Sequence, residues 1–138
     1  MPTPDAATGA IEARLRQAFP ATAIWFPNTP LTPPLGQVWL RVHLVWGRSL
    51  VLSLRPVHTT QHLGVLFVDV YAPQSEGAGR QRRFGEQVRT LFGSQTFADV
   101  RCDAATGLVA HREETVNTGI WWVATVHVPL TIIEEVPS

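Results

Sequence analysis

The sequence predicts an α+β domain: a mostly antiparallel sheet with two helices packed on one face, plus an extended proline-rich arm. Three observations carry this reading. Apolar residues alternate with period two through the middle and end of the chain. Two other segments, about 6–19 and 79–92, repeat apolar residues with helical spacing. Between them Pro27, Pro30, Pro33 and Pro34 crowd a stretch that neither a helix nor a central strand accepts. The order is α-(loop)-β-β-β-α-β-β, and its hairpins predict an antiparallel sheet.

The first helix is expected over about 6–19, with Asp5 as its cap. Ile11, Leu15 and Phe19 recur every four residues and form the core stripe, while Glu12 and Arg16 make an i,i+4 pair. Pro20 stops it. Residues 24–36, "IWFPNTPLTPPLG", then read as an ordered loop or arm. "VWLRVHLVW" (38–46) and "SLVLSLRPV" (49–57) read as two strands joined by a tight turn at Gly47-Arg48. "HLGVLFVDVYA" (62–72) is a third strand, with Leu66, Val68 and Val70 on one face and Phe67, Asp69 and Tyr71 on the other. In the second helix Phe84, Val88, Leu91 and Phe92 share a packing face, with Arg82, Glu86 and Arg89 opposite and Gly93 as the C′ residue. A short strand about 99–103 follows, then a strand-like "LVAHREETV". A long final strand, 120–133, sets Trp122, Ala124, Val126, Val128 and Leu130 on one face. Pro129 within it points to an edge position or a bulge.

At 138 residues the chain suits a single domain, 1–138. Its 45% hydrophobic content is enough to offset the entropy of folding, which excludes disorder. Eleven basic and eleven acidic residues balance, so no global charge points to nucleic acid. All the basic residues are arginine. One cysteine, Cys102, excludes an internal disulfide and fits a reducing compartment. The start "MPTPDAATGA" has no signal-peptide pattern, and the longest apolar run is too short for a membrane-spanning helix, so a soluble protein is expected.

"APQSEGAGRQRRFGEQVRTLF" (72–92) has the parts of a phosphate site: a strand end, a glycine turn and a helix N-terminus. The match fails in detail. Gly77-Ala78-Gly79 is followed by Arg80-Gln81, with neither the lysine nor the hydroxyl of a Walker loop, and Arg82 stands where a dinucleotide fingerprint needs glycine. Arg80, Arg82 and Arg83 instead oppose the helix dipole, and their two readings are a solvated face with local pairing or an assembly surface. His58 and His62 cannot share a metal from a strand, since their rings would stand roughly 13 Å apart. No catalytic constellation or cofactor motif is present in the sequence, and neither enzyme nor cofactor is expected. Asp69, in an apolar strand, reads as a tuned acid or as the cross-strand partner of Arg41 or Arg55.

"WFPNTPLTPP", "WLRVHL", "LFVDVYAP", "GAGR" opening a helix, and a tryptophan-led final strand occur in series. Together they resemble the small tail terminator-like proteins of long-tailed phages and prophages. "VWGRSLVLSLRPVHTT" and "HREETVNTG" depart from that pattern. The resemblance implies a structural virion protein of the tail and neck, assembled in the host cytoplasm. Such a protein caps the tail tube, ends its polymerisation and forms the joint to the head. It implies a ring, six subunits in the usual case, contacting the tail tube protein, the head connector or neck protein, and passing DNA without sequence preference. The alternatives are another neck or connector component and a small phosphate-ligand-binding domain. The residues expected at assembly contacts are Trp25, Pro27, Asn28, Pro33, Pro34, Arg80, Arg82, Arg83 and Arg89.

Overall fold

A computed structural model describes residues 3–27, 32, 34, 36–54, 57–73, 79–116 and 119–137. Helix α1 spans Pro4–Ala18, β1 Ile24–Trp25, β2 Trp39–Leu54 and β3 Val57–Pro73. Helix α2 spans Gly79–Phe92, followed by β4 Thr96–Phe97, β5 Val100–Cys102, β6 Thr106–Val116 and β7 Gly119–Pro137. The strands form one seven-stranded sheet in the order β1-β2-β3-β7-β5-β4, with β6 also paired to β7.

This overturns the expected α+β architecture of a sheet with two helices packed on a face. The chain is β-rich, and one large mixed sheet dominates it. Two features of pairing cause the difference. Ile24 and Trp25 pair parallel with Leu40 and Arg41, so the proline-rich segment begins as an edge strand. Strands β2, β3 and β7 also run 16, 17 and 19 residues, well past the boundaries local pattern suggests. At 3.3 Å per residue β7 alone is about 60 Å long. The expected turn at Gly47-Arg48 is a bulge inside β2, where Trp46 pairs with Gly64 and Ser49 with His62. Gly64 is required there: a Cβ would stand 2.8 Å from the Trp46 ring, which lies against the β3 backbone.

The main core joins α1 and α2 to the sheet. Ala7, Ile11 and Leu15 from α1, and Val88 and Phe92 from α2, pack with Leu40, Val42, Leu66, Val68, Val70, Val126, Val128 and Leu130. Phe19 stacks on Phe84 at 5.8 Å, tying the end of α1 to α2. Arg14 lies over the Phe97 ring and donates to the Leu91 carbonyl at 3.0 Å, near the negative end of α2. Thr3, rather than Asp5, caps α1 by accepting from the Ala6 N–H, and Pro4 then occupies N1. Arg16 lies over Phe26 rather than forming the expected pair with Glu12.

Two further local expectations change. Gly93 does follow α2, yet Ser94 adopts the left-handed conformation (φ 57°). Gly93 answers a steric need instead, because a Cβ there would stand 2.6 Å from the Arg89 carbonyl oxygen. Pro129 sits in a central strand, opposite Val65 of β3. Its carbonyl accepts from the Asp103 N–H, so its backbone faces away from β3. A strand residue's N–H and C=O share one edge, so the missing donor falls between the β6 partner of His127 and the β5 partner of Leu130.

Candidate functional site

On the sheet face carrying Asp69, a second apolar cluster of Trp39, Tyr71, Trp121 and Val123 is closed by Trp25 and Val116. Trp39 stacks on Tyr71 at 3.9 Å and meets Trp121 edge-on at 5.7 Å. Beside it lies a row of polar side chains that the pairing of β2, β3 and β7 sets in line: Arg41 opposite Asp69, and Asp69 opposite Thr125. Arg41 donates from Nε and Nη2 to Asp69 Oδ2 at 3.0 and 2.8 Å, and the Thr125 hydroxyl donates to Oδ1 at 2.5 Å. Strand β6 adds Arg112 and Glu114. Glu114 accepts from Arg41, from Arg112 and from the Tyr71 hydroxyl, the last at 3.0 Å.

Asp69 is 1% exposed, so its burial is tolerated because both oxygens are engaged and a cation is adjacent. Burial is the main cause that pushes the Tyr71 phenol well above its ordinary range, keeping it a neutral donor to Glu114. Two cations, Arg41 and Arg112, meet two carboxylates, Asp69 and Glu114, in a balanced set. The arrangement fastens β6 to the sheet. Among the described residues no group of His, Cys, Asp or Glu side chains has metal-binding geometry.

Helix α2 is fixed by a residue that its chemistry conceals. Gln81 is fully buried, and its Nε2 donates to the carbonyls of Val70 and Trp122 at 3.0 Å each. That anchor joins the first turn of α2 to both β3 and β7. It leaves Arg82, Arg83, Glu86 and Arg89 exposed. Arg89 donates to Glu86 at 2.7 Å, an i,i+3 pair. Arg82 and Arg83 form no salt bridge among the described residues. Arg80 stands half-buried in the same turn.

The remaining residues expected at contacts lie elsewhere. Trp25 is half-buried in β1, 6.1 Å from Trp39, and Pro27 follows it, exposed. Both line a depression of about 400 Å³ with Phe26, Arg41, Val42 and His43. Pro34 is half-buried, and Asn28 and Pro33 lie outside the described residues. The groove between α1 and α2, lined by Arg14, Phe19, Glu86 and Leu91 among others, shares no lining residue with that depression. None of the expected contact residues on α2 lines that depression. Sequence reasoning missed Gln81, Thr125, Arg112 and Glu114. Gln81 was findable: it shares the spacing of Gly85, Val88 and Phe92, all buried.

The model of the family described as phage tail terminator protein matches residues 6–132. The chain belongs to the phage tail terminator family. That family is structural rather than enzymatic, and it sets this terminator-family chain among the components of a phage tail. A solved structure 21% identical to it superimposes with a TM-score of 0.62, covering 93% of this chain and 95% of that one. At that identity the likeness is one of fold. No match is found among curated proteins. Among the described residues no helix of this terminator-family chain is long and apolar enough to cross a membrane.

Proposed function

We propose that this protein assembles as a closed ring of six copies, caps the phage tail tube, ends its polymerisation and forms the joint to the head connector. The observation that carries the reading is the family match across nearly the whole chain, residues 6–132. It acts in the virion, at the junction of tail and neck, after assembly in the host cytoplasm. Its partners are further copies of itself, the tail tube protein and the neck protein, with DNA passing through the ring.

Two surfaces suit such contacts. The α2 arginines offer planar donors to a neighbour's carboxylates or to phosphates of passing DNA. The β1 edge offers Trp25 and Pro27, and partly exposed tryptophan is a frequent contact anchor. A ring requires two different, complementary surfaces on each copy, and a closed rotation between them.

Native mass measurement and negative-stain microscopy, with and without purified tail tubes, test the proposal. Rings on tube ends are the expected result. Persistent monomer in the presence of tubes rules the proposal out.

A further inference from the structure

Three strands extend beyond the buried core: the later part of β2, the early part of β3 and the end of β7. In β3 none of residues 59–63 is buried, whereas burial is continuous on alternate residues from Gly64. This arm has two outer edges. Beyond Arg41, β2 has no second strand partner among the described residues, because β1 ends at Trp25. Beyond Thr131, β7 likewise pairs only with β3 among the described residues.

The backbone directions on these edges follow from the register. Successive residues of a strand point N–H and C=O to opposite edges. Leu40 donates outward to Ala23, so Val42, Leu44 and Trp46 also face outward. The bulge keeps the phase, since Trp46 pairs with Gly64 and Ser49 with His62, so Ser49 and Val51 face outward as well. On β7, Pro129 faces outward to Asp103, and the uninterrupted register carries Ile133 and Glu135 to the same edge. Among the described residues no other strand engages the donors and acceptors of these two edges, which makes them a template for strand addition.

The side chains on the two edges are complementary. β2 exposes Val51 and Leu52 (57% and 53%), and β7 exposes Ile133 (40%). Arg48 on β2 and Glu135 on β7 are both exposed, and neither forms a salt bridge among the described residues. A donor edge and an acceptor edge that differ are what a head-to-tail contact needs, in contrast to the self-matching patch of a two-fold dimer.

The geometry points to a second copy of this chain as the occupant: the β7 edge at Ile133–Glu135 pairs with the β2 edge at Ser49–Val51 of the next copy. β2 and β7 both run antiparallel to β3, so they share a direction, and copies related by a ring rotation pair them in parallel. The sheet would then continue from copy to copy. The inference rests on the ring proposed above and names the surface that closes it.

Two measurements test it on the full chain, with rings first verified by native mass. Val51→Cys and Glu135→Cys proteins are treated with a short bifunctional thiol reagent; Cys102 is buried and contributes little background. Cross-linked dimer is expected only when the two proteins are mixed. Arg48→Glu and Glu135→Arg are each expected to weaken ring assembly roughly tenfold, and the double reversal to restore it. Rings that form without the mixed cross-link and ignore both reversals overturn the inference and leave the proposed function standing. Self-cross-linking of the Val51→Cys protein alone overturns it too, as the mark of a two-fold contact. Absence of rings even on tail tubes overturns both.

Discussion

Arg41 and Asp69 face each other across β2 and β3, and the guanidinium directs two N–H groups at one oxygen of a carboxylate that solvent does not reach. The pair binds the sheet face to β6, because the same arginine also reaches Glu114. Removing the acid takes the acceptor from the Thr125 hydroxyl and leaves Arg41, 30% exposed, with Glu114 alone. Asp69→Ala is expected to destabilise the fold by about 2–3 kcal/mol, the usual cost of losing hydrogen bonds to a charged group. Arg112, whose side chain is 40% exposed, stands 3.9 Å from Asp69, and Arg112→Ala is expected to cost about 1 kcal/mol. Urea unfolding of the two variants should therefore separate clearly, and equal midpoints would show that the network carries no such asymmetry.

Gln81 anchors α2 through a buried amide. Gln81→Met keeps much of the volume but leaves the Val70 and Trp122 carbonyls without that donor. A loss of about 1–3 kcal/mol is expected. Amide exchange should rise first in α2. If exchange there matches the parent chain, the anchor is not what holds the helix.

The turn between β4 and β5 places Ala98 and Asp99 at φ 46° and 63°. Two positive φ values suit a two-residue hairpin whose turn matches strand twist. Alanine is a poor residue for that conformation, since its Cβ crowds the backbone. Ala98→Gly is expected to raise stability by about 1 kcal/mol, read as a higher thermal midpoint. A lower midpoint would contradict the turn geometry.

Cys102, at the end of β5, is buried in the core, and burial pushes its thiol up to about 11 from 9.0, with Arg14 opposing and Asp103 adding. In the unfolded chain the thiol gives up its proton near the ordinary value, while in the folded chain it keeps it to higher pH. The unfolded state then binds fewer protons across that window, so stability falls as pH rises through it. Parent and Cys102→Ala proteins compared by urea unfolding should diverge between about pH 9 and pH 11, with the parent losing more. Identical pH dependence would remove the thiol as the cause. The native thiol should also resist alkylation at neutral pH and react once unfolded.

Arg82 and Arg83 are the fourth and fifth residues of α2, close to the positive end of the helix dipole. Replacing both by alanine is expected to leave the thermal midpoint unchanged or slightly raised, and to weaken ring assembly or its attachment to tail tubes. Unaltered assembly in native mass spectra would assign these arginines to solvent alone.

Some of the molecule was settled by the chain before it folded. Helical spacing fixed α2 at Gly79–Phe92 and the α1 stripe of Ile11, Leu15 and Phe19, because helix hydrogen bonds and side-chain neighbours are local. Alternation fixed which face of β7 enters the core, since Ala124, Val126, Val128 and Leu130 can be buried together only on one side of a strand. The ordered motifs pointed to the family.

Tertiary structure decided what depends on a distant partner. Gly47-Arg48 has the composition of a turn, and only the continued ladder with β3 makes it a bulge. Pro129 occupies a central strand because its missing donor falls between two different neighbours. Asp69 chose Arg41 through register, and gained Thr125 and Arg112 from strands more than forty residues away. Pairing energy in a sheet is non-local, so strand length, register and the two open edges of the arm emerge only when the whole sheet is assembled.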